Sequence, residues 1–137
     1  MRSRTRRHSR LSNLIIDCQT EDIDAAAHFW SAALGHRLEP ADGAYPSYRA
    51  LETPDGELKV LVQAVDHASR VHLDIETDDV EAEARRLETL GARRVRKVRT
   101  WWVMEAAIGQ RFCVVRPQRP GLAEQGNRWD DGDAGGG

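Results

Sequence analysis

"LIIDCQTEDIDAAAHFWSAALGHRL", residues 14–38, and "RVHLDIETDDVEAEARRLETLGARRV", residues 70–95, carry one pattern twice. Each passes from an apolar, strand-like run through an acidic turn into a helical stretch, then through Leu-Gly into a further strand-like run. Leu34-Gly35 matches Leu90-Gly91. Helices prefer a side-chain acceptor just before their first turn and a left-handed glycine just past their last. Thr20 or Asp22 supplies the acceptor in the first copy, Thr77 or Asp78 in the second. Ile23, Ala26, Ala27, Trp30, Ala33 and Leu34 fall on one face of a 3.6-residue period, as do Val80, Ala84, Leu87 and Leu90. The opposite face of the second helix carries Glu81, Glu83, Arg85, Arg86 and Glu88, which reads as solvated surface.

Outward from the repeat, strand-like runs follow each helix: near residues 36–39, 48–52 and 58–64, and again near 93–99, 101–105 and 111–116. Turns come from "TPDGE" (53–57) and "AIGQ" (107–110). The pattern is βαβββ, twice. One such module leaves a sheet face uncovered, whereas two related modules curve around a shared cleft, where small ligands bind. The predicted class is therefore α+β: two paired βαβββ modules forming a curved, cleft-enclosing mixed sheet. Module one spans 11–66 and module two 69–118. Residues 1–10 are expected to be a disordered basic arm and 119–137 a disordered acidic, glycine-rich tail, because neither has the apolar periodicity to offset its ordering entropy.

A chain of 137 residues with 40% hydrophobic content supports one domain. No apolar run approaches the ~18 residues of a membrane span, and the basic N-terminus is not followed by the apolar stretch of a secretion signal. The expectation is a soluble, cytoplasmic protein with reduced Cys18 and Cys113 and no membrane partner. Nucleic acid is not an expected partner either. The basic arm has no interleaved aromatics, and arginine is abundant throughout: only Lys59 and Lys97 among 20 basic residues are lysine.

"IIDCQTEDIDAAAHFWSAALG" (15–35), "VHLDIETDDVEAEARRLETLGA" (71–92) and "GQRFCVVRP" (109–117) together resemble the vicinal oxygen chelate superfamily. The closest likeness is to its glyoxalase-like branch, the glyoxalase, bleomycin resistance protein and dioxygenase family. The resemblance covers nearly all of residues 11–118. It implies the paired βαβββ architecture and four metal-ligand positions, on the first and last strand of each module. Members include metal-dependent lyases, epimerases and dioxygenases and metal-free drug-sequestering proteins. Carried over through the internal repeat, the four positions are Ile15, Val60, His72 and Cys113. Two are aliphatic, and a catalytic divalent ion needs about three protein ligands, so no metal or other cofactor is expected.

The expected ligand-binding set is Ile15, Asp17, Val60, His72, Trp102, Met104 and Cys113. Each has a plainer reading. Cys113 between Phe112 and Val114 reads as a small core hydrophobe, and Trp30 as core. His72 and Asp74, alternate residues of one strand, share a face and read either as an acid/base pair or as a satisfied core histidine. Trp101 and Trp102 point to opposite faces. Two functions follow. One is a metal-independent protein that binds a small, partly aromatic molecule in its cleft, for sequestration or metal-free chemistry. The other is a lyase, isomerase or dioxygenase using His72, Asp74 and Glu105 as catalytic residues, with a divalent metal possible. A homodimer is expected, since isologous dimers are the commonest oligomers.

Overall fold

A computed structural model describes residues 6–130. Its elements run β1 (Arg6–Gln19), α1 (Ile23–Leu34), β2 (Tyr48–Ala50), β3 (Lys59–Val65), β4 (Arg70–Thr77), α2 (Val80–Thr89), β5 (Arg93–Val98), β6 (Trp101–Glu105), β7 (Arg111–Val115), α3 (Leu122–Gln125) and β8 (Asn127–Asp130). Eight strands in mixed parallel and antiparallel pairing with three helices make the α+β class expected from the repeat.

The repeat extends to the chemistry of the caps. Asp22 accepts a hydrogen bond from the Ala25 N–H at the start of α1, and Asp79, not Asp78, accepts one from Ala82 at the start of α2. The Thr20 and Thr77 hydroxyls accept from the backbone N–H of Asp22 and Asp79 in turn. Gly35 ends α1 at φ 75°, a left-handed conformation that costs a glycine nothing. The strand expected near residues 36–39 shrinks to a single bridge between Leu38 and Leu51. Pro40, with no N–H to donate, ends it.

The chain divides into two compact units, residues 13–72, and residues 6–12 with 73–130; β1 and β4 each lend a part to both. Within the first the strand order is β2-β3-β1-β4. β3 runs parallel to β1 and antiparallel to β2, and α1 packs on β2 and β3. Ile15, Ile16, Ala27, Leu51 and Val62 are its buried apolar residues. Within the second the order is β1-β4-β7-β6-β5, with β8 pairing β1. Its core is Ala84 and Leu87 of α2 against Met104 and Val114, with Ile75, Val80, Ala92, Trp102 and Phe112 packed around them.

The ends correct the expectation of disorder. Residues 6–10 belong to β1, and residues 119–130 hold α3 and β8; positions 1–5 and 131–137 lie outside the described residues. β8 runs antiparallel to the start of β1, pairing Arg7 with Trp129 and His8 with Arg128. The Trp129 indole N–H donates to Ser9 Oγ at 2.8 Å, and the Arg86 guanidinium stacks 4.0 Å from the Trp129 ring centre. Arg10 donates to the fully buried Glu76 carboxylate at 2.7 Å and to the Pro120 carbonyl, also at 2.7 Å. Glu76 also accepts from the backbone N–H groups of Gln118 and Arg119. Backbone pairing and charge hold these segments, so apolar periodicity could not reveal them. The charged face of α2 is likewise not all solvated: Glu83 is 1% exposed and takes two 2.8 Å hydrogen bonds from Arg86.

Candidate functional site

In residues 13–72, side chains opposite one another in register leave the same face of the sheet. Ile15 pairs with Leu61 and Asp17 with Gln63, so these four share one face. Leu14, Ile16 and Cys18 share the other with Val60, Val62 and Ala64. That second face meets α1, which packs on β3 and brings Trp30 near the Cys18 thiol. Burial nonetheless pushes the thiol's pKa up, which keeps it protonated and unreactive. Val60 therefore lies on the helix side, away from Ile15 and Asp17. The two β-ladders show why: Asp17 stands opposite Gln63 as Asp74 stands opposite Cys113, so Gln63, not Val60, is the counterpart of Cys113. The slip from Gln63 to Val60 is three residues, and any odd slip along a strand moves a side chain to the opposite face.

Asp17 is buried, with its side chain 2% exposed, and its Oδ2 lies 2.7 Å from His72 Nδ1. The Arg70 Nε is 3.7 Å from the same oxygen, on a half-exposed side chain. Asp17 Oδ1 has no hydrogen-bond partner among the described residues. A carboxylate at Nδ1 selects the tautomer with the proton on Nδ1 and makes Nε2 the acceptor. The sequence placed both residues in the site and paired His72 with Asp74; the structure brings Asp17, from another strand, to the His72 ring.

His72 and Asp74 alternate along β4 and leave the same face of it. In residues 73–130, Asp74 stands opposite Cys113 of β7, with carboxylate and thiol donor atoms within 4.8 Å. Cys113 in turn faces Val103 of β6, and Glu105 lies between Arg111 and Arg93. Trp101, Val103 and Glu105 thus share the face of Asp74 and Cys113. Trp102 and Met104, expected to line the ligand site, leave the opposite face. Trp102 pairs with Val114 and Met104 with Phe112, under α2, and Met104 is fully buried. Arg94 and Lys97 lie over the Trp102 ring at 4.9 and 5.3 Å. Alternation alone showed that the two tryptophans diverge; the acidic Glu105, two and four positions from Val103 and Trp101, was the clue to which face stays polar.

Glu105 Oε2 accepts from Arg111 Nε at 2.9 Å and Oε1 from Arg93 Nε at 3.1 Å. Arg111, and then Arg93, hold its carboxyl below the usual range for a glutamate. A carboxylate so engaged is a weaker proton acceptor than a free one. Sequence reading missed both arginines, although basic residues flanking an acidic strand end were visible. In residues 73–130, Asp74 and Cys113 offer a carboxylate and a thiol, donor types that suit a divalent ion such as zinc; in residues 13–72, His72 offers an imidazole, and Ile15, at 1% exposure, adds no donor.

Residues 13–115 match the family model of the glyoxalase-like domain. Among solved structures, the methylmalonyl-CoA epimerase of Mycobacterium tuberculosis is similar, with a TM-score of 0.58 at 21% identity over 82% of this chain and 90% of that one. A Streptomyces coelicolor methylmalonyl-CoA epimerase in complex with 2-nitronate-propionyl-CoA aligns with a TM-score of 0.58 at 16% identity, over 81% of this chain and 99% of that one. A Legionella pneumophila protein described as an NAD-dependent benzaldehyde dehydrogenase aligns with 0.57 at 8% identity, over 76% and 99%. At such identities the likeness is one of fold. No curated protein matches the chain by sequence.

Proposed function

The chain belongs to the glyoxalase-like domain family of the vicinal oxygen chelate superfamily, and from that premise we propose that it binds a small, partly aromatic organic molecule with His72 as the polar anchor. One observation carries this reading. The buried Asp17 carboxylate, 2.7 Å from His72 Nδ1, fixes the ring and its tautomer, as a site that must present one nitrogen to a ligand requires. The protein acts in the cytoplasm as a homodimer and holds its ligand without a metal, for sequestration or metal-free chemistry. Light scattering should return about twice the 15.4 kDa chain mass.

A thermal-shift screen of metabolites and antibiotics, on wild type and on His72→Gln, tests the anchor. The variant should fold and should weaken each hit by about 1–3 kcal/mol, the cost of leaving a polar partner unpaired. Hits bound equally well by both proteins refute the assignment. A second reading is favoured by Asp74 and Cys113, whose donor atoms lie within 4.8 Å. Here Asp74 and Cys113 hold a divalent ion in a lyase, dioxygenase or isomerase that uses His72, the last being the class of the epimerase neighbours. A bound ion would supply Lewis-acid polarisation of a ligand oxygen, while Asp17 orients His72. Elemental analysis after metal-free dialysis separates the two: one equivalent of metal selects the second.

A further inference from the structure

Across β5, β6 and β7, Arg93, Glu105 and Arg111 stand side by side in register. One carboxylate serves two guanidinium groups, one on each oxygen, and both arginines engage it through Nε. The terminal Nη donors of Arg93 and Arg111 have no hydrogen-bond partner among the described residues. Arg96 stands opposite Val103 and makes no ion pair among the described residues. The row carries an excess of one positive charge, two with Arg96. Two guanidinium groups braced by a shared carboxylate are already ordered, so an anion bound by them costs less side-chain entropy than one bound by free arginines. Because Glu105 is held below the usual glutamate range, the brace stays ionised into mild acid. Val103 and Trp101 continue the same face of β6 as an apolar and aromatic strip.

We propose that Arg93 and Arg111, braced by Glu105, are an oxyanion subsite that takes the carboxylate or phosphate of an organic ligand whose apolar body lies along Val103 and Trp101. The proposal rests on the reading of the protein as a small-molecule binder and names the ligand class: anionic aromatic compounds rather than neutral ones. Glu105 is then a positioning residue, and Arg96 strengthens the field without a brace of its own.

The test titrates benzoate, phenyl phosphate and the neutral control benzamide into the isotope-labelled full chain, following the arginine Nε–H and tryptophan indole signals by NMR. Benzoate or phenyl phosphate should shift the Arg93, Arg111 and Trp101 signals saturably, and the tighter of the two names the oxyanion. Benzamide should bind at least tenfold more weakly, and Arg93→Gln and Arg111→Gln should each weaken the anion by about tenfold, the effect of losing one charge-assisted contact. Raising salt from about 50 to about 300 mM should weaken it further. Arg93 is 61% exposed, so Arg93→Gln remains readable should Arg111→Gln fail to fold. Equal binding of benzamide and benzoate, no saturable shift with either anion, or unchanged affinity in a folded arginine variant overturns the proposal. Neutral screening hits that depend on His72 but not on Arg93 or Arg111 would leave the binder reading standing and remove only this one. No hit of any charge removes both.

Discussion

Replacing Trp129 with alanine should unfold the protein at a markedly lower temperature, although the sequence alone assigns that residue to a loose tail. Three losses add. The Arg86 guanidinium, 4.0 Å from the ring centre and held in place by Glu83, loses a cation–π contact of about 1 kcal/mol. Ser9, 2% exposed, loses the hydrogen bond from the indole at 2.8 Å, about 1 kcal/mol more. Removing the ring from its half-buried position between β1 and α2 forfeits roughly 1 kcal/mol of apolar burial. The total is about 3 kcal/mol, or roughly 9–15 °C in Tm for a domain of this size. Thermal melts of the full chain followed by circular dichroism measure it. Trp129→Phe keeps the ring and loses the N–H, and should fall between the two. A Trp129→Ala melt within about 2 °C of wild type would refute the reasoning and return residues 119–130 to the status of a loose tail.

Met104→Ala should cost about 2–5 kcal/mol of stability, because the side chain is fully buried under α2, while ligand affinity per folded molecule stays unchanged; urea unfolding and a binding titration check the two halves. The acid limb of the stability curve is set in part by Glu105 and Glu81, whose pKa values hydrogen bonds from Arg111 and Arg94 lower from an ordinary 4.5. A carboxyl with a lowered folded pKa stabilises the fold above its unfolded value, and that contribution is lost as pH falls through the folded one. Stability should therefore decline below about pH 4.5, and Glu105→Gln should flatten that slope in a pH series of thermal melts; an unchanged slope would show that the arginine row contributes nothing to folding.

Two helices, the Asp22 cap of the first and the order of strands around them were legible in residues 14–38 and 70–95, because a 3.6-residue period, an acidic N-terminal turn and a glycine stop are local rules that neighbouring residues satisfy by themselves, although the second cap fell one residue later, on Asp79. The family resemblance added His72 and Cys113 as site candidates, and alternation along one strand added Asp74. Tertiary structure decided the rest. Alternation shows that neighbours diverge but not which face a helix will cover, so Met104 and Trp102 became core, Trp101 and Glu105 stayed on the open face, and Val60 fell on the helix side of its sheet. Asp17 meets His72 across 55 residues, Glu105 meets Arg93 and Arg111 across 12 and 6, and Trp129 meets Ser9 across 120. Such contacts leave no periodic trace in the chain, since polar partners are matched by the geometry of neighbouring strands and not by spacing along one of them.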